Sequence, residues 1–231
     1  MLRLFLLLLN RHNRRMWSLS TLFSVFSVLF WVVNAKNIPL AWHSRFYRSL
    51  VYYLWINKNT PAVESDVFRT RVWTSRSPAM ECDLNGHKSN STYFSDLDIA
   101  RTDLMVDVFK NMLLSTKKES GIWPYIPLGA VVSIFRREIK PFAKYNIKSK
   151  IIGWDEKWLF VVSRFELAGS TNPCAISLSK YVFKLGRKTI APQDALKQCG
   201  LWSPEVEAKG YDGRKKVQGL MDLDQLEEEE F

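Results

Sequence analysis

The spacing of apolar and polar residues divides this chain into segments. From Asp66 to Ser75 the two classes alternate, with Val67, Arg69, Arg71 and Trp73 set against Phe68, Thr70 and Val72. A period of two in β-branched and aromatic residues predicts a strand. Residues 76–90 are turn-like, with Pro78, Asp83, Asn85, Gly86 and Asn90. Ser91 to Leu114 then runs without Pro or Gly. Tyr93, Leu97, Ala100, Leu104, Val108 and Met112 give it a wide apolar stripe. This predicts a long, largely buried helix of about six turns, with Ser89 or Asn90 as N-cap. Asp96, Asp98, Arg101, Asp103, Asp107 and Lys110 fall mostly on the other side, so Arg101 is expected to pair with Asp98 or Asp103 on an exposed face.

Four more strands are predicted at 130–139, 144–154, 158–167 and 175–185. Their connections are too short for parallel crossovers, so they should form an antiparallel meander. One strand, one long helix and four strands make an α+β layer fold, a curved sheet around one helix. Residues 186–231 are rich in Gly and Pro, with one short helix expected near Gln193 to Cys199.

The N-terminal region has a different pattern. Leu4 to Leu9 is apolar, Arg11, His12, Arg14 and Arg15 follow, and Trp17 to Val33 carries no charge. Seventeen uncharged residues reach the lower limit for crossing a hydrocarbon core. Trp17 and Trp31 suit interfacial positions. The expectation is an N-terminal hydrophobic helix acting as a membrane anchor. A cleaved signal peptide ending near Val33-Asn34-Ala35 and a mitochondrial leader are the alternatives. Leu40, Phe46, Tyr47, Leu50, Val51 and Leu54 recur at helical spacing, predicting an amphipathic helix that lies on the membrane or packs on the domain. The expected boundaries are a hydrophobic leader at 1–35, an amphipathic segment and linker at 36–63, the folded domain at 64–185 and a C-terminal extension at 186–231.

Charge sharpens this division. The net charge of +10 is uneven: residues 1–63 hold eight Lys/Arg and no acid, while residues 221–231 hold six acids and no base. The basic excess is therefore concentrated near the leader, and the acidic end should be a solvated tail. The aromatics are spread through apolar strands rather than set on an open face, which argues against nucleic acid. Cys82, Cys174 and Cys199 have no regular spacing, and there are only three histidines. No disulfide framework, metal site or cofactor is legible.

One motif carries chemistry. Cys82-Asp83-Leu84-Asn85-Gly86-His87-Lys88-Ser89-Asn90-Ser91-Thr92-Tyr93, followed by Ala100-Arg101, places a carboxylate and a histidine just before a long helix. Asp-x-x-Gly-His-x-x-Asn-x-x-Tyr at that position resembles hotdog-fold acyl-CoA thioesterases of the 4-hydroxybenzoyl-CoA thioesterase group. The likeness covers roughly residues 64–185. The segments Asn37 to His43, Arg137 to Phe142 and Gly153 to Trp158 narrow it to the group containing thioesterase superfamily member 6 and fungal thioesterase-like proteins.

That resemblance implies a single hotdog fold, an antiparallel sheet wrapped around one central helix. It implies thioester hydrolysis with Asp83 as catalytic aspartate, the Asn90 backbone N–H as donor to the thioester carbonyl, and His87 near the carboxylate or orienting a water. The first turn of a helix suits such a role, because its N–H groups are free and its dipole end is positive. Read without the family, Asp83 to Gly86 is also a good turn, Asn90 an N-cap and Tyr93 core. Tyr93, Arg136 and Arg137 are the candidate substrate contacts, the two arginines lying in a basic region suited to phosphates of coenzyme A. Cys82 as a nucleophile lacks a paired histidine. A catalytically silent acyl-binding protein of the same fold, and a thioesterase that releases acyl groups from a carrier protein, remain open.

A single hotdog leaves a sheet edge open, so a homodimer is expected. A glycan on the Asn90-Ser91-Thr92 sequon would block the site. The expected location is therefore a membrane with the domain in the cytosol, at the endoplasmic reticulum ahead of the mitochondrion.

Overall fold

The computed structural model describes residues 19–60, 63, 67–217 and 219. At its centre, five antiparallel strands fold against one helix. The strands are β1 (Arg71–Arg76), β2 (Leu128–Phe135), β3 (Lys144–Trp154), β4 (Leu159–Leu167) and β5 (Pro173–Tyr181), in the sheet order β1-β3-β4-β5-β2. β3, β4 and β5 form the expected meander. β2 does not adjoin β3. It pairs with β5, with Val131 opposite Ser179 and Phe135 opposite Ala175, and β1 takes the place beside β3. Short connections argued for a four-strand meander, but residues 136–143 can span roughly 26 Å, ample for crossing three strand spacings of about 4.8 Å.

The central helix, α3 (Asn90–Ser120), ends at Gly121 with φ of 72°. It runs past the predicted end because Lys117 and Lys118 suit the negative end of a helix. One side packs on the sheet, where Tyr93, Leu97 and Ala100 meet Tyr145, Ile147 and Phe165. The other side is covered by α2 (Ala41–Val51) with its π-helical continuation Tyr52–Ile56, and by α4 (Pro192–Gln198). Tyr53, Leu54, Leu196 and Leu201 share a buried cluster with Leu104, Val108 and Met112. Each such side chain contributes about 1.5–3 kcal/mol through burial.

Two covered sides explain why the charged face of α3 is not a solvent face. Asp96, Arg101, Asp107 and Lys110 are all buried. Arg101 does pair with Asp98, but its guanidinium is enclosed, stacks on Tyr181 and donates to Ser179 Oγ at 2.6 Å. Ser179 lies beside a row of serines crossing the sheet in register, Ser149, Ser163, Ser177 and Ser133, bonded in pairs at 2.8 Å.

A hairpin of β6 (Phe183–Leu185) and β7 (Lys188–Ile190) follows, and the chain ends its described part with α5 (Pro204–Lys215). The glycines of α5 let its backbone lie against the bulge in β3 at Ile152 and Gly153. A Cβ on Gly213 would fall 1.5 Å from Ile152 O. Ala normally stabilises a helix by about 1 kcal/mol over Gly. Here the sign should reverse: Gly213→Ala is expected to cost about 2 kcal/mol or more, because backbone must move. Urea denaturation of the variant checks this.

The N-terminal expectation is corrected. Among the described residues no helix is long and apolar enough to cross a membrane. Within the described residues, α1 covers 19–33. The residues after it turn into the domain. Asn34 is buried and its Oδ1 accepts from Met80 N at 3.0 Å. Lys36 reaches Glu81 and Asp96. α2 takes the packing alternative, with Ser49 donating to Asp103 at 2.8 Å. The membrane anchor, and the endoplasmic reticulum or mitochondrial location that rested on it, fall away. The Leu4 to Leu9 run, Trp17 and the acidic tail lie outside the described residues.

Candidate active site

The motif forms a tight loop between Cys82 and the start of α3. Cys82 and Lys88 bridge in antiparallel fashion, Asp83 N donates to His87 O at 2.9 Å, and Gly86 N donates to Asp83 O at 3.0 Å. Gly86 sits at φ of 71°, a conformation that favours glycine. Asp83 performs the turn role read from the sequence: its Oδ1 accepts from Asn85 N at 3.0 Å. Among the described residues no hydrogen bond occupies its second carboxylate oxygen. His87 Nδ1 lies 3.7 Å from Asp83 Oδ1, and Nε2 lies 3.7 Å from Glu138 Oε1. The imidazole lies near both carboxylates, and its Nδ1 is within hydrogen-bond distance of Lys88 O at 3.3 Å.

Asn90 is the first residue of α3 and Ser89 its N-cap, but the Ser89 side chain makes no capping hydrogen bond. It meets Ser91 Oγ instead, at 3.1 Å. The Asn90 and Ser91 N–H groups therefore stand in a first turn where a helix leaves its donors without internal partners. An uncapped helix N-terminus next to a half-exposed carboxylate can polarise a carbonyl and hold the negative charge that develops on its oxygen.

Asp83 and His87 approach each other within this loop, and Asn90 follows it as the first residue of α3. Tyr93 does not join them: its ring packs between Phe135 and Phe165, 5.1 and 4.8 Å away, and is 3% exposed. Burial pushes its phenol up. Arg136 and Arg137 are exposed at the end of β2, their backbone N–H groups on Cys174 O. Cys82 Sγ contacts Ser77 Oγ at 3.6 Å and Pro78 O at 3.5 Å rather than a histidine. Glu138 was not singled out from the sequence, although the motif segment Arg137 to Phe142 contains it. Its place beside His87 follows from Lys88 N donating to Ile139 O at 2.8 Å, which no spacing reveals.

Behind the loop lies a buried ionic cluster. Asp96 Oδ2 accepts from Lys36 Nζ at 2.6 Å, from Lys88 Nζ at 3.2 Å and from Tyr145 Oη, and Oδ1 accepts from Arg45 at 2.8 Å. Lys88 and Lys36 also bind Glu81. Burial opposes the Asp96 charge. The Lys36 and Lys88 ammonium groups, with hydrogen bonds from Arg45 and Lys36, overcome it and hold the carboxyl down at about 2. Burial pulls the Lys36 ammonium down in spite of Asp96, and burial together with the Asp96 charge pushes the Tyr145 phenol up.

The Asp96 carboxyl is depressed below its ordinary 3.8. It therefore adds stability above pH 4, and this is lost as pH falls from about 4 to about 2. The loss should be about 2 kcal/mol. Urea denaturation at pH 5 and pH 2.5 measures it, and Asp96→Asn should flatten the difference.

The Thioesterase-like superfamily model matches residues 77–198, from just after β1 through α4. The chain belongs to this superfamily. It is 40% identical over 206 residues to a probable thioesterase of Saccharomyces cerevisiae, covering 84% of this chain and 87% of the relative. It is 38% identical over 220 residues to the thioesterase poxG of Penicillium oxalicum, covering 80% and 73%. Among solved structures, a 4-hydroxybenzoyl-CoA thioesterase in complex with 4-hydroxybenzoyl-CoA is similar at 19% identity and TM-score 0.45, over 57% of this chain and 99% of that one. The resemblance carried by the motif is thus confirmed, and with it the enzyme class, a thioesterase.

Proposed function

We propose that this superfamily member hydrolyses acyl-coenzyme A thioesters in the loop between Cys82 and α3. The observation that carries the reading is a carboxylate with one unoccupied oxygen, Asp83, folded into the same loop as the uncapped first turn of α3. Asp83 either attacks the thioester carbonyl, forming an acyl anhydride that water then hydrolyses to release the carboxylate and free Asp83, or takes a proton from a water that attacks directly. The Asn90 N–H donates to the carbonyl oxygen as it becomes an oxyanion, and the thiolate of coenzyme A departs. His87, between Asp83 and Glu138, orients the carboxylate or the water. Arg136 and Arg137 lie on the Glu138 side of this loop, where phosphates of coenzyme A would meet guanidinium groups.

Purified full-length chain should release free thiol from acyl-CoA in a thiol-trapping assay. No release from acyl-CoA, with release from an acylated carrier protein, would assign the activity to carrier-bound substrates. Binding of acyl-CoA without release from either would assign a silent acyl-binding role.

The unit of function is proposed to be a homodimer. β2 is an edge strand, and it exposes Leu128 and Ile134; such an edge is normally covered. Sedimentation velocity should give twice the 26.9 kDa chain mass, and a monomer would overturn this.

A further inference from the structure

A second cleft lies apart from the motif loop, between the end of α1, the start of α2 and the outer edge of β1. Its volume is about 920 Å³, within the ~300–1,000 Å³ range of small-molecule sites. Its walls include Val32, Val33, Ile38, Leu40, Trp73 and Phe142, and none of its lining residues is acidic. Four cations line it: Lys36, Arg45, Arg48 and Arg76. Lys36 and Arg45 are already bound to Asp96. Arg48 and Arg76 differ. Both are exposed, and among the described residues neither has a carboxylate partner. Arg48 lies 6.0 Å over the Trp73 ring, and Arg76 donates to Phe142 O.

The backbone supplies a second, independent observation. Among the described residues, two non-glycine residues have positive φ: Leu40 at 68° and Phe142 at 63°. Both line this cleft. Bulky residues in the left-handed region are strained and persist where surrounding structure holds them, characteristically at ligand sites. Here the strained backbone presents two large apolar side chains to one cavity. The walls at 32–48 and 73–76 also lie outside the part of the chain matched by the superfamily model, which starts at residue 77.

We infer that this cleft binds a long-chain carboxylate, with its chain against the apolar walls and its head group at Arg48 and Arg76. A mainly apolar cavity lined by guanidinium groups that, among the described residues, have no carboxylate partner complements a single-chain anion. Such a carboxylate is what hydrolysis of an acyl thioester releases, so the identity of the occupant rests on the proposed activity; the cleft and its charge do not.

The test uses full-length protein and a photoactivatable long-chain fatty acid as probe, with no acyl-CoA present. Peptides from 32–48 and 73–78 should be labelled, and unlabelled fatty acid should compete. The double variant Arg48→Glu, Arg76→Glu should bind at least tenfold more weakly with an unchanged unfolding midpoint, while Arg48→Lys, Arg76→Lys retains binding. Labelling confined to the Cys82 to Tyr93 loop, equal competition by the matching fatty alcohol, or wild-type affinity in the Glu variant would each overturn the inference. Acyl-CoA turnover by the wild-type chain is read separately. If turnover fails and labelling succeeds, the cleft stands and only the origin of its carboxylate changes.

Discussion

Asp83→Asn is expected to lower kcat/KM for acyl-CoA on the order of 10³-fold while leaving the fold intact. The amide keeps an oxygen that can accept from Asn85 N, so the turn between Asp83 and Gly86 survives. What it removes is the negative oxygen that attacks the carbonyl or takes the proton, a contribution of roughly 10²–10⁴-fold for a positioned acid or base. Residual activity should come from the Asn90 N–H, which the substitution does not touch. Two measurements decide the point: free-thiol release across substrate concentrations below and above KM, and the urea midpoint. A folded variant with wild-type turnover would remove Asp83 from the mechanism.

The second large effect concerns stability. Asp96→Asn is expected to destabilise the protein by about 3–5 kcal/mol at pH 7, the range for breaking a buried ion pair by removing one partner. Lys36, Lys88 and Arg45 all converge on this carboxylate, and it is fully buried. Without its charge, three cations face one another with Glu81 as the remaining anion. The effect should extend to the N-terminal segment, since Lys36 and Arg45 tie residues 36–45 to the start of α3. Limited proteolysis should therefore cut the variant faster between residues 34 and 48 than the parent. Equal stability at pH 7 would show that the cluster contributes little.

The elements that the sequence made legible are those set by local patterning. The period of two over 144–154 appears as β3 with the same ends, and the absence of Pro and Gly after Ser91 appears as α3. The motif was legible because Asp83, His87 and Asn90 are neighbours in sequence, so one turn suffices to assemble them. Glu138 was not, because it reaches His87 through the pairing of Lys88 with Ile139, about fifty residues away. α5 was missed because Gly210 and Gly213 read as breaks, whereas they are close contacts with Trp154 and Ile152.

The leader shows the opposite failure. Seventeen uncharged residues matched a membrane pattern, yet hydropathy does not record that Asn34 and Lys36 are held by Met80, Glu81 and Asp96. By itself, then, the sequence determined most of the strands, the long helix and the position of the motif loop that carries the candidate carboxylate. Side-chain period and turn chemistry are local properties of the chain. Only the tertiary structure decided the place of β2 at the far edge, the burial of the charges on α3 and the cleft at Arg48 and Arg76. Each of these depends on residues far apart in sequence; for the charges on α3 the reason is a low-dielectric interior, where a charge is tolerated only beside its partner.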